Sequence, residues 1–127
     1  MAGKNYTLKL SDKDKTYEGQ KYDAITQTMA DHAYHTHEEE VNLMVSFLLA
    51  VKITENAVAI RNAETVDRFQ NTKHNGHIDI DEEEVKWLQD GMKESLPKRH
   101  LGWVKCKEIL RQIEKPEEVG VETIEEE

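Results

Sequence analysis

Near the start of the chain, Tyr6, Leu8 and Leu10 alternate with Thr7 and Lys9, and a polar run at 11–14 separates them from a second extended piece at 15–18. A period of two around a polar turn predicts a β-hairpin. From residue 20 to residue 75 there is neither glycine nor proline, so nothing breaks a helix cheaply and mostly helix is expected. Tyr22, Ile25, Met29 and Ala33 recur at helical spacing and predict a short amphipathic helix over 22–34. Thr36 followed by Glu39 reads as a capping box, and Glu38 to Glu40 suit the positive end of a helix dipole.

The residues Val41, Met44, Val45, Phe47, Leu48, Leu49 and Val51 are apolar nearly all round a helix, which predicts a central, buried helix over 38–56. Val58, Ala59, Val66 and Phe69 continue a narrower stripe to residue 70, either as the same helix or beyond a kink at 52–56. Asn75-Gly76 then makes a turn before His77-Ile78-Asp79-Ile80, a short alternating strand that can join the hairpin. Asp81 with Glu84 is a second capping-box start, for a helix carrying Val85, Leu88 and Met92 on one face. Pro97 breaks it, and a last helix over 98–114 with Leu101, Val104, Ile109, Leu110 and Ile113 stops before Pro116. The expected fold is α+β and mostly helical, an N-terminal β-hairpin with room for a third short strand, packed on four or five helices.

The length, 127 residues, fits one globular domain over 1–115 followed by an acidic, flexible tail at 116–127. With 26 Asp+Glu against 17 Lys+Arg the net charge is −9. No apolar run approaches the roughly 18 residues of a membrane span, and the start lacks a signal-peptide core, so a cytoplasmic protein without membrane contact is expected. Cys106 is the only cysteine, which excludes an internal disulfide and a multi-cysteine zinc site.

Charge is uneven. Residues 98–111 carry Lys98, Arg99, Lys105, Lys107 and Arg111 against Glu108, a local +4, whereas residues 114–127 hold seven Glu against Lys115, a local −6. Lys98, Arg99, Trp103, Lys105, Lys107 and Arg111 are therefore a candidate binding surface for an acidic partner, which the tail can compete for. Trp103 beside Lys105 and Lys107 would also suit a nucleic-acid strand, but a chain at −9 is repelled by phosphate. Conversely, the acidic clusters at 38–40, 79–84 and 117–127 could imitate nucleic acid toward another protein's basic groove.

Two arrangements invite a metal. Residues 71–82 place Asn71, Asn75, Gly76, Asp79 and Glu82 at the first, fifth, sixth, ninth and twelfth positions of a loop that resembles an EF-hand calcium site. Lys73 stands where an oxygen ligand is wanted, and no second such loop is present. A turn at Asn75-Gly76, with Ile78 and Ile80 inward and Asp81 as a cap, accounts for more of the segment. His32 with His35, and His74 with His77, form His-x-x-His pairs that could hold zinc if they met. Gly-rich phosphate loops, Gly-x-Ser-x-Gly elbows and His-Glu-x-x-His motifs are absent from the sequence. Cys106 sits mid-helix as a packing residue would. No cofactor is expected. The expectation is a non-catalytic interaction protein, a regulator, adaptor or assembly subunit that binds a protein partner or itself, with metal binding and nucleic-acid binding as the rival readings.

Overall fold

The computed structural model describes residues 4–71 and 76–119. In chain order the elements are β1 (Asn5–Lys9), β2 (Thr16–Asp23), β3 (Thr28–His35), α1 (Thr36–Ala50), α2 (Asn56–Asn71), β4 (His77–Asp81), α3 (Glu82–Ser95), a single 3-10 turn (Leu96–Lys98), α4 (Leu101–Lys105), α5 (Lys107–Glu114) and β5 (Glu117–Glu118). The class is α+β, mostly helical, with β1 and the open end of the β2–β3 hairpin packed on the helices.

The apolar run of α1 makes it the centre of the core. Met44, Phe47 and Leu48 have no exposed surface, and around them lie Leu8, Phe69, Ile78, Ile80, Leu88, Trp103, Cys106, Ile109 and Ile113. The apolar residues of this helix enter that core, apart from the exposed Leu49. Val51 leaves the helix with extended backbone, so the stretch 38–70 is two helices. Ending α1 there frees carbonyls of its last turn, and the Asn62 amide of α2 donates to one of them, Leu48 O, at 3.3 Å.

Gly91 decides how closely α3 lies on α1. A Cβ built at this position would stand 1.9 Å from the Phe47 carbonyl oxygen, so only glycine permits the two backbones to approach this far. The start of α3 is fixed by the expected capping box, with Glu84 N–H donating to Asp81 Oδ1 at 2.9 Å and Asp81 N–H to Glu84 Oε1 at 3.0 Å. The buried Glu84 carboxylate also accepts from Thr65 Oγ1 at 2.7 Å and from Arg68 at 2.8 Å, tying α2 to α3.

The small sheet has the order β4-β1-β5, antiparallel throughout. Leu8 faces Ile78 and Tyr6 faces Ile80 across the β1–β4 ladder, and Leu8, Ile78 and Ile80 point into the core. The Gln112 amide of α5 extends the ladder as a strand would. It accepts from Lys9 N–H at 2.6 Å and donates to Lys9 O at 2.8 Å.

The N-terminal hairpin is built from other segments than the pattern indicates. β1 pairs with β4 and β5, while β2 pairs with β3 from Thr16↔His35 to Asp23↔Thr28. The helix expected over 22–34 is thus the tip and second strand of a hairpin. Tyr17, Tyr22, Thr26, Thr28 and Tyr34 are aromatic or β-branched and favour strands. Asp23 turns the chain, its carboxylate accepting from Ile25 N–H at 2.8 Å, and Gln27 takes positive φ. The expected cap at Thr36 also differs. His35 occupies the N-cap without a side-chain bond, and the buried Thr36 instead gives its N–H to Lys15 O at 3.0 Å. The final helix breaks at Cys106 into α4 and α5, a bend that lets Trp103 and Ile109 both enter the core. The first residues of the expected tail, Glu117 and Glu118, pair with β1, and residues 120–127 lie outside the described residues.

Two predictions follow from the helix contacts. Alanine is the better helix former by about 1 kcal/mol, yet Gly91→Ala should lower stability by about 1–3 kcal/mol through overpacking against Phe47, measured by urea denaturation; a gain would refute the close approach. For Glu84, burial pushes the carboxyl up, but the bonds from Arg68, Thr65 and Asp81 N–H together hold it below its ordinary value of 4.5. A lowered carboxyl stabilises the fold above its unfolded range and stops doing so as pH falls through the folded value. Glu84→Gln should therefore cost about 1–2 kcal/mol near neutral pH, and the gap to the unaltered protein should close below pH 4.5.

Candidate functional site

Two of the surfaces on the described residues expose apolar side chains. The first is a groove of about 390 Å³ between the end of α3 and α5. Met92, Leu96, Trp103 and Leu110 form its apolar lining, with Lys93, Lys107, Arg111 and Glu114 at its edges. Its shape follows from local chemistry. Pro97 ends α3 in a 3-10 turn, His100 Nδ1 accepts from Gly102 N–H at 3.1 Å to start α4, and the break at Cys106 sets α5 at a new angle. Ile109 and Ile113 face inward, which turns Lys107 and Arg111 outward one helical turn apart.

Of the basic residues proposed from sequence, the groove brings together Trp103, Lys107 and Arg111, while Lys98, Arg99 and Lys105 are exposed outside its lining. Trp103 is 7% exposed and packs edge-on against Phe47, ring centres 5.4 Å apart. It is a wall of the groove and offers no free face for a base to stack on. Arg111 pairs with Glu108 at 2.5 Å on the surface, and Lys93 and Lys107 form no ion pair among the described residues. Of the acidic tail expected to compete for these cations, Glu117 and Glu118 lie on β5, and residues 120–127 lie outside the described residues. β5 carries the chain along β1, and Val119 N–H donates to Asn5 O at 2.8 Å, beside Arg68, Asp81 and Glu84 at the opposite end of α3 from the groove.

The second surface is the β2–β3 hairpin. Of residues 20–33 only Asp23 is even partly buried, so the hairpin stands away from the body. Its open end is anchored: Tyr17 stacks on Tyr34 at 5.3 Å, the Tyr17 hydroxyl reaches Glu39 at 3.4 Å, and Gly19 admits Leu101 where a Cβ would meet it at 2.9 Å. The free end is apolar. Ile25 is 93% exposed, and the cross-strand pair Tyr22 and Met29 is 58% and 56% exposed. The sequence hid these residues because their spacing also fits a helical stripe; the signal that reveals them is the strand-favouring run around Asp23.

The hairpin is held by a buried polar node. Glu40, 1% exposed, accepts from Ser11 N–H and Ser11 Oγ, both at 2.7 Å, and His37 Nδ1 lies 3.0 Å from Ser11 O. The acid read as dipole decoration at a helix start is therefore a structural clamp on the 11–15 loop. Glu83 pairs with Arg61 on the surface, and Glu84 with Arg68, while Glu38, Asp79 and Glu82 of the acidic clusters stay exposed.

Among the described residues the metal candidates do not converge. His32 and His35 lie three residues apart on a strand and so point to opposite faces; His32 packs edge-on against Tyr34 at 4.6 Å. His77 is on β4, exposed and 3.7 Å from Asp79, and His74 lies outside the described residues. In the calcium-like loop, Asn71 ends α2, Asp79 is exposed on β4 opposite Thr7, and Glu82 opens α3 on the surface, while Asn75 lies outside the described residues. Among the described residues no group of His, Cys, Asp and Glu is placed to hold a metal.

Cys106 is buried, and burial together with the Glu40 and Glu39 carboxylates pushes its thiol up to about 12. The thiolate is the nucleophile, so at pH 8 the folded protein should react with a disulfide reagent roughly a thousandfold more slowly than the unfolded chain. Labelling timed with and without denaturant checks this; equal rates would contradict the burial. In comparisons with known proteins, no family model, no curated protein and no solved structure matches this chain.

Proposed function

We propose that this chain is a non-catalytic interaction protein that docks by its β2–β3 hairpin. One observation carries the reading: an arm of paired eight-residue strands, exposed from residue 20 to residue 33, ends in Ile25, Tyr22 and Met29. An isolated two-stranded hairpin is marginal in water, and an apolar tip exposed to water gains free energy when covered, about 25 cal/mol for each Å². Its outer strand edges also carry unpaired backbone groups that a partner can use. Further support comes from the side chains with chemical potential. Cys106 is a buried thiol, Glu84 is committed to a cap and an ion pair, and Glu40 holds a loop.

The nucleic-acid reading is weakened by the burial of Trp103 and by the dispersal of Lys98, Arg99 and Lys105 away from Lys107 and Arg111. The metal reading is weakened by the opposite faces taken by His32 and His35.

A photo-crosslinking residue placed at position 25, in cells that make the protein, should yield a covalent adduct with another polypeptide. The same residue at the exposed position of Glu64 on α2 should yield none. Absence of an adduct at position 25, or equal adducts at both positions, would overturn the docking role of the arm.

A further inference from the structure

We infer that the occupant of the α3–α5 groove is the hairpin tip of a second copy of this chain, so that copies associate head to tail. The inference rests on the docking role of the hairpin and adds the identity of its partner. Chemical match is the first ground. The tip presents Tyr22, Ile25 and Met29 to solvent, and the groove presents an apolar lining of Met92, Leu96 and Leu110 in a space of about 390 Å³.

Charge is the second ground, and it selects between the ways two copies can meet. The exposed arm, residues 20–33, carries Asp23 and Asp31 against Lys21, a net −1, whereas the groove edge carries Lys93, Lys107 and Arg111 against Glu114 and the Glu108 that pairs with Arg111, a net +1. Pairing two arms edge to edge would bring together arms of the same net sign. Setting the arm into a neighbour's groove opposes unlike charges, with Lys93 and Lys107 free of ion pairs among the described residues.

Arm and groove are different surfaces of one chain, so the contact is either reciprocated between two copies or repeated into a ring or an open chain of copies.

The test is sedimentation equilibrium of the full chain, with Ile25→Glu as the arm variant and Lys93→Glu with Lys107→Glu as the groove variant. All these positions are exposed, so folding should be kept and is checked by circular dichroism. The unaltered protein should form species larger than one 14.7 kDa chain as concentration rises, and this association should weaken with salt. Each variant alone should associate at least tenfold more weakly. Mixed together, they should recover a species of two chains and no larger, because the groove of the arm variant still accepts the arm of the groove variant.

A protein that stays at 14.7 kDa at every concentration would overturn the inference. A mixture that does not recover the two-chain species would overturn it too, as would a groove variant that associates normally. If the chain stays single while position 25 still crosslinks to another polypeptide, the arm docks on a different protein. If neither association nor a crosslink is seen, the docking role falls as well.

Discussion

The contact of Gly91 with the Phe47 backbone is the constraint on which the remaining arrangement depends. With no side chain at that point, α3 lies directly on α1, and the two helices fix the direction of everything attached to their ends. The first residue of α1 follows the last residue of β3, so the hairpin springs from that end. The end of α3 supplies Met92, Lys93 and Leu96 to the groove, and α5 supplies the opposite wall. Phe47 also meets Trp103 edge-on, so the turn of α1 that carries α3 also seats one wall of the groove.

Around that contact, polar groups do structural duty. Glu40 and Ser11 bind the 11–15 loop to α1, Glu84 joins α2 to α3, and Gln112 closes the end of β1. Buried carboxylates of this kind are tolerated because each accepts more than one hydrogen bond. Among the described residues, Thr36 Oγ1 and His37 Nε2 are buried without a hydrogen-bond partner, and large apolar side chains are exposed at the hairpin tip, at Leu96 in the groove, and singly at Leu49 and Ile60.

Much of the core was legible from the pattern of residues. The all-round apolar run from Val41 to Leu48 marked α1 as central, the alternation of Ile78 and Ile80 marked β4, and Asp81 with Glu84 marked the start of α3. These signals are local and each has one dominant reading. The hairpin was not legible in the same way. Tyr22, Ile25, Met29 and Ala33 fit a helical stripe, and choosing the strand requires knowing that no core lies beneath them. Strand pairing is also non-local: the alternation at 77–80 showed that β4 can join β1, but not that it would pair about 70 residues away in place of the neighbouring 15–18 segment. The candidate basic surface was half legible, since the +4 of residues 98–111 is real but the break at Cys106 sends Lys107 and Arg111 to the groove and Lys105 elsewhere.

The central claim, that an exposed arm and a groove on the body are the surfaces through which this protein associates, is tested most directly by amide hydrogen exchange across a concentration series. Exchange should slow together at residues 20–33 and at residues 92–111 as the protein is concentrated, while residues 56–71 of α2 exchange at an unchanged rate. Exchange at residues 20–33 that is the same at every concentration, and the same when the protein is isolated in complex with whatever it binds in the cell, would contradict the claim.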